Sequence, residues 1–82
     1  MSIFLGVHKF PGETTREQTH QSWAKYKQEA QAMGLKPLRA LVSLDRGVAY
    51  CQTEADSASQ VEEAHHKAEV PFEEVFEIES LD

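Results

Sequence analysis

The chain is expected to fold as an α+β ferredoxin-like βαββαβ sandwich, a four-stranded antiparallel sheet carrying two helices on one face. Three observations predict this. Two segments with apolar residues at spacings of three and four each follow a capping sequence. The segments around them alternate with a period of two. A tight-turn signal joins the two middle strands. At 82 residues the chain has the size of one small domain, so 1-82 is read as a single ferredoxin-like unit.

Each element follows from local chemistry. Ser2 to Phe10 is rich in strand formers and is broken by Pro11-Gly12. Thr14 with Glu17 has the form of a capping box. The helix it opens carries Thr19, Trp23, Tyr26, Ala30 and Met33 as one stripe and stops at Gly34. Lys36 to Leu44 alternates, with Leu38, Ala40, Val42 and Leu44 on one side. Asp45-Arg46-Gly47 then turns the chain into a return strand, Val48 to Thr53. Ser57 with Gln60 opens a second helix whose stripe is Ala58, Val61, Ala64, His65 and Ala68. Pro71 ends it, and Val75 to Ser80 alternates as a last strand.

Right-handed crossovers place the strands that precede helices at the centre of the sheet and both helices on one side. If Ile3, Leu5, Val7, the Leu38 series, Phe76 and Ile78 face the helices, the other face carries Phe4, His8, Phe10, Leu41 and Val75. Arg39, Ser43, Glu77 and Glu79 are mixed among them. Such a face is too apolar to stay bare and too charged for a dry core. It predicts a homodimer in which two sheets pair around a partly wet cavity, as in a dimeric α/β barrel.

Composition narrows the functional classes. With 14 acidic and 8 basic residues the formal net charge is −6, and the basic residues are scattered, which works against nucleic-acid binding. No apolar run has the length of a membrane span. Cys51 is the only cysteine, so no disulfide forms within the chain. With no secretory signal, a reducing, cytoplasmic setting is expected.

The chemistry-bearing residues gather by topology. His8, Tyr50, Cys51, His65, Glu73 and Glu74 are expected toward one rim of the sandwich with His20 nearby, while Glu54 sits at the opposite end of its strand. Imidazole, thiolate and carboxylate are the donors that hold Zn, Ni, Co or Cu. Each also has a plain structural reading. Cys51 can be a small buried hydrophobe, and His65 can pack while its protonated ring meets a helix dipole. His66, Glu62 and Glu63 read as solvated, and Trp23 and Tyr26 as core or interface. Strand parity points His8 outward and His65 inward, so they could share an ion only around the rim or across the dimer. His8 with Glu77 and either Tyr50 or Cys51 is the simplest one-face grouping. No glycine-rich phosphate loop, nucleophile elbow or paired-histidine zinc helix is present. Covalent catalysis by Cys51 lacks a helix dipole to lower its thiol pKa.

Tyr50-Cys51-Gln52-Thr53-Glu54-Ala55, then Val61 to Ala68 with its Ala64-His65 pair, then Pro71 and Val75-Phe76-Glu77-Ile78 carry a resemblance. The chain resembles a family of small bacterial domains of unknown function labelled nickel-binding-protein-like. The matching residues are Cys51, Glu54, His65, Pro71 and Glu77, and His8 suits the family's metal site. Glu69 stands where the family often has glycine, and Asp56 where it often has proline. The resemblance implies a ferredoxin-like fold, dimerisation and binding of a divalent metal such as nickel. The expected ligands are His8, Cys51, His65 and Glu77, and the expected function is non-catalytic metal binding. An enzyme or small-molecule binder using the sheet-face cavity is the alternative, with His8 and Tyr50 as its polar groups.

Overall fold

The computed structural model describes residues 1–82. It has the elements β1 (Ser2–Lys9), α1 (Arg16–Ala32), β2 (Lys36–Ser43), β3 (Val48–Ala55), α2 (Ala58–Ala68) and β4 (Glu74–Ile78). The strands form one antiparallel sheet in the order β2-β3-β1-β4, so the two strands that lead into helices are central. The α+β architecture is the one expected.

The helix starts obey capping chemistry, with one shift. The cap of α1 is Thr15 rather than Thr14. Its hydroxyl accepts from the Gln18 N–H at 3.1 Å while the Thr15 N–H donates to Gln18 Oε1 at 2.8 Å. The Thr14 and Glu17 pair offers the same chemistry one position earlier, and capping boxes one residue apart are indistinguishable without the helix phase. Ser57 caps α2 as expected. Gly34 follows α1 at φ 81, where a side chain would crowd the backbone. Glu69 occupies the equivalent left-handed position after α2, at φ 59. The glycine common in the family at this point would adopt it without strain.

Register overturns one expectation. Directly paired residues share a face, so Gly6, Cys51 and Val75 lie together, as do Phe4, Thr53 and Glu77. Phe4, Cys51 and Ala55 are buried in the core with Tyr26, Ala30, Leu35, Val61, Ala64 and Ala68. The helix-facing side of β1 is therefore Phe4, Gly6 and His8, not Ile3, Leu5 and Val7. In β4, Val75 packs against the core and Phe76 faces away. Only β2 keeps its expected parity, with Ala40 and Val42 opposite Cys51 and Ala49.

The reason is volume. Both faces of β1 are apolar, so hydropathy alternation has no polar side to mark solvent. The helices bring two large rings, Tyr26 and His65, both fully buried. They fit only over small strand residues, which are Gly6, Cys51, Thr53 and Ala55. Close packing then selects the face that hydropathy left open. The Tyr26 hydroxyl shares a hydrogen bond with Thr53 Oγ1 at 2.5 Å, so neither buried oxygen is left without a partner.

The outer face differs from the one anticipated. Ile3, Leu5, Val7, Leu41, Tyr50, Phe76 and Ile78 share it by register, with Leu41 53% exposed and Phe76 40% exposed, and Arg39, Gln52, Glu54 and Glu74 stand among them.

Candidate metal centre

Three elements aim one side chain each at a common point. His8 stands two residues after Gly6 on the inner side of β1, Cys51 is the β3 residue opposite Gly6, and His65 descends from α2. Their ligand atoms, the two Nε2 and Sγ, all lie within 4.8 Å of one another. Cys51 Sγ is 3.4 Å from His8 Nε2 and 3.3 Å from His65 Nε2. The conflict between an outward His8 and an inward His65 does not arise, since both rings are on the helix side. Between Tyr50 and Cys51, it is Cys51 that meets His8. Tyr50 pairs with Val7 and Leu41 on the outer side.

Glycine makes the meeting possible. A Cβ on Gly6 would stand 2.7 Å from Cys51 Sγ and 3.3 Å from the His65 ring. A glycine inside a strand often marks such a close approach, and that signal was present in the sequence but unused.

Backbone carbonyls set both tautomers. His8 Nδ1–H donates to the Pro71 carbonyl at 2.7 Å, and His65 Nδ1–H donates to the Val61 carbonyl at 2.7 Å. A carbonyl can only accept, so each neutral ring carries its proton on Nδ1 and presents a bare Nε2 lone pair to the sulfur. The two lone pairs face one thiol, which has a single proton. One donor cannot fully satisfy two acceptors, and this is the orientation that second-shell carbonyls give to metal-ligating histidines.

Burial keeps the site uncharged. His65 is fully buried, stacked on Tyr26 at 4.1 Å between ring centroids and tilted against Phe72 at 5.2 Å. Desolvation pulls its pKa down to about 4, with the hydrogen bond to Val61 opposing and neighbouring His8 and His66 adding a smaller lowering. The reading of His65 as a protonated ring on a helix dipole is thereby corrected. Its charge would have no water to face. Desolvation also lowers His8, against its bond to Pro71. The Cys51 thiol is pushed up to about 11, again chiefly by burial. A thiol so protonated at neutral pH is a poor nucleophile, which weighs against covalent catalysis.

The remaining candidates lie elsewhere. Glu77 is exposed on β4, opposite Phe4, and is outside the cluster of converging donors. Glu73 and Glu74 are exposed, and the Glu73 N–H ties the α2–β4 connection to the Val7 carbonyl at 2.7 Å. Glu54 pairs with Ile3 and Lys36 at the far end of the sheet, as expected. His66 is exposed. His20 and Tyr50 line a cleft beside the trio.

A family model described as nickel responsive protein SCO4226-like matches residues 4–78. The chain belongs to this SCO4226-like family. The crystal structure of SCO4226 from Streptomyces coelicolor A3(2) matches with a TM-score of 0.85 and 25% identity. The match covers 94% of this chain and 95% of that one. Among curated proteins none matches. For this SCO4226-like chain, family and donor set agree. Two imidazoles and a thiol are borderline-to-soft donors that suit Ni, Zn, Co or Cu and poorly suit Mg or Ca. Ligands about 2.0 and 2.3 Å from one ion at a tetrahedral angle stand about 3.5 Å apart, close to both N···S separations.

Two outcomes follow from this geometry. Gly6→Ala should cost about 1–3 kcal/mol in urea denaturation, because Sγ or the His65 ring must move; a loss under 0.5 kcal/mol would show that the spacing matters little. Second, the folded chain keeps His65 neutral where the unfolded chain protonates it near pH 6.5. Stability should therefore fall as pH drops from about 6.5 to about 4. Denaturation midpoints across that window, with NMR titration of the His65 ring, test this. A His65 midpoint near 6.5 in the folded protein would refute it.

Proposed function

We propose that this chain is a non-catalytic, cytoplasmic homodimer that binds a divalent transition metal, nickel by family, through His8 Nε2, Cys51 Sγ and His65 Nε2. The observation that carries the reading is the convergence of two carbonyl-oriented lone pairs on a single buried thiol. An ion that replaces the thiol proton gives both nitrogens and the sulfur a partner at once. Glu77, expected as a fourth ligand, is left out because its carboxylate is exposed away from these donors. No helix is long and apolar enough to cross a membrane, and the lone thiol is in keeping with a reducing compartment.

The proton balance sets the pH dependence. Both imidazoles are already neutral at pH 7, so the proton that must leave is the thiol's. Between about pH 7 and about pH 11, apparent affinity should rise about tenfold per pH unit, one proton being released per ion. Calorimetry of Ni(II), run in buffers of different ionisation enthalpy, reads both affinity and proton count. Cys51→Ser and His65→Ala should each weaken binding at least tenfold, and His8→Ala likewise. Unchanged affinity in Cys51→Ser defeats the site.

Self-association draws support from the outer sheet face, where seven apolar side chains lie together by register. Sedimentation should give a dimer for the wild type and a monomer for Phe76→Glu, a change at an exposed position that spares the core. A monomeric wild type at tens of micromolar would remove the pairing.

The alternative small-molecule reading placed its cavity on the outer sheet face. The cleft instead lies on the inner side, between α1 and the sheet.

A further inference from the structure

That cleft has a volume of about 540 Å³, within the range of small-ligand pockets. His8, Cys51 and His65 are all among its lining residues, so the three donors open onto it. Along one wall Trp23 stacks on Tyr26 and Tyr26 on His65, with ring centroids 5.8 and 4.1 Å apart. On the other, Ala40 and Val42 share a sheet face with Cys51 and Ala49, and both are exposed.

The donor set is one short of a closed site. His8, Cys51 and His65 converge, and no fourth histidine, cysteine or carboxylate joins them. Tyr26, which stacks on His65, has its hydroxyl bonded to Thr53. None of the 22 residues lining the cleft is aspartate or glutamate, so no carboxylate of this chain reaches the trio from that side. Structural metal sites close with four protein donors, whereas three leave a coordination position for a small molecule. Resting on the metal reading of the trio, we propose that the cleft admits the missing donor, a small neutral aromatic nitrogen heterocycle. Its lone pair completes the coordination of the ion, and its ring lies between the Trp23–Tyr26 stack and Val42. Nitrogen matches the borderline character of two imidazoles and a thiolate better than a carboxylate oxygen does. A flat ring stacks on aromatic walls, while a carboxylate placed there would lose its hydration. A dimer paired through the outer sheet face leaves this side open.

Co(II) serves as the spectroscopic probe, since its visible bands follow the number and type of its donors. Imidazole titrated into the Co(II)-loaded protein should shift these bands saturably without releasing the ion, as elemental analysis after gel filtration reads. 1-Phenylimidazole should bind about tenfold more tightly than imidazole, because its second ring is buried against the walls. Ala40→Phe and Val42→Trp each add bulk at an exposed inner-face position of β2. Both variants should retain Co(II) and weaken 1-phenylimidazole by about tenfold or more. By calorimetry, chelator-treated protein should not bind it. Retained Co(II) whose bands neither heterocycle moves overturns the proposal and spares the metal reading. So does acetate that binds as tightly as imidazole. Release of the ion by imidazole, or equal binding of 1-phenylimidazole without metal, also overturns it. A self-associated species that Ala40→Phe dissociates does the same, because the cleft would then hold a second copy. Wild type that takes up neither Co(II) nor Ni(II) removes both readings together.

Discussion

One sulfur atom bears on everything around it. Cys51 Sγ sits 3.3 and 3.4 Å from two imidazole nitrogens, and neither nitrogen has another partner to turn to, because each ring is pinned through its other nitrogen to a carbonyl. The pins come from different parts of the chain. Val61 lies one helical turn before His65, so α2 orients its own imidazole. Pro71 belongs to the connection that leads into β4, so His8 is oriented by the segment that closes the fold. Fixing the trio therefore couples β1, β3, α2 and the last connection at one point.

The core around this point is arranged by size more than by hydropathy. Small residues on the inner faces of β1 and β3 admit Tyr26 and His65, which stack on each other. Trp23 in turn stacks on Tyr26 at 5.8 Å. The aliphatic residues that a hydropathy argument sends inward, Ile3, Leu5 and Val7, are displaced to the other face. One packing decision thus produces two surfaces: an inner layer that holds polar rings without water, and an outer layer of branched aliphatics suited to meeting another sheet.

Element order, strand pairing and the gathering of His8, Cys51 and His65 toward one rim were legible in the sequence because each depends on local or topological rules. Capping residues and spacing mark helices, and right-handed crossovers bring the end of β1, the middle of β3 and the end of α2 to one side. The facing of β1 was not legible. Its residues are apolar at nearly every position, and a slip by one reverses the whole strand. That single ambiguity turned His8 outward on paper and made Glu77 look like its neighbour. Gly6 was the unread clue. A glycine between Leu5 and Val7 gains nothing for a strand unless something must come close above it, and the sulfur and the His65 ring do.

The cost of burial argues that the trio is more than filler. Leaving a buried acceptor without a full donor costs about 1–3 kcal/mol, and a chain of this size has a thin core with little stability to spare. Valine at position 51 with leucine at 65 would fill similar space with no such cost. Three polar side chains, a glycine that makes room for them and two carbonyls that aim them form an arrangement in which each part makes sense through the others. Packing on Tyr26 and Phe72 holds the His65 ring but leaves unexplained why both Nε2 atoms meet at one sulfur. A shared partner such as a metal ion would suit all three atoms, and the family is described as nickel responsive.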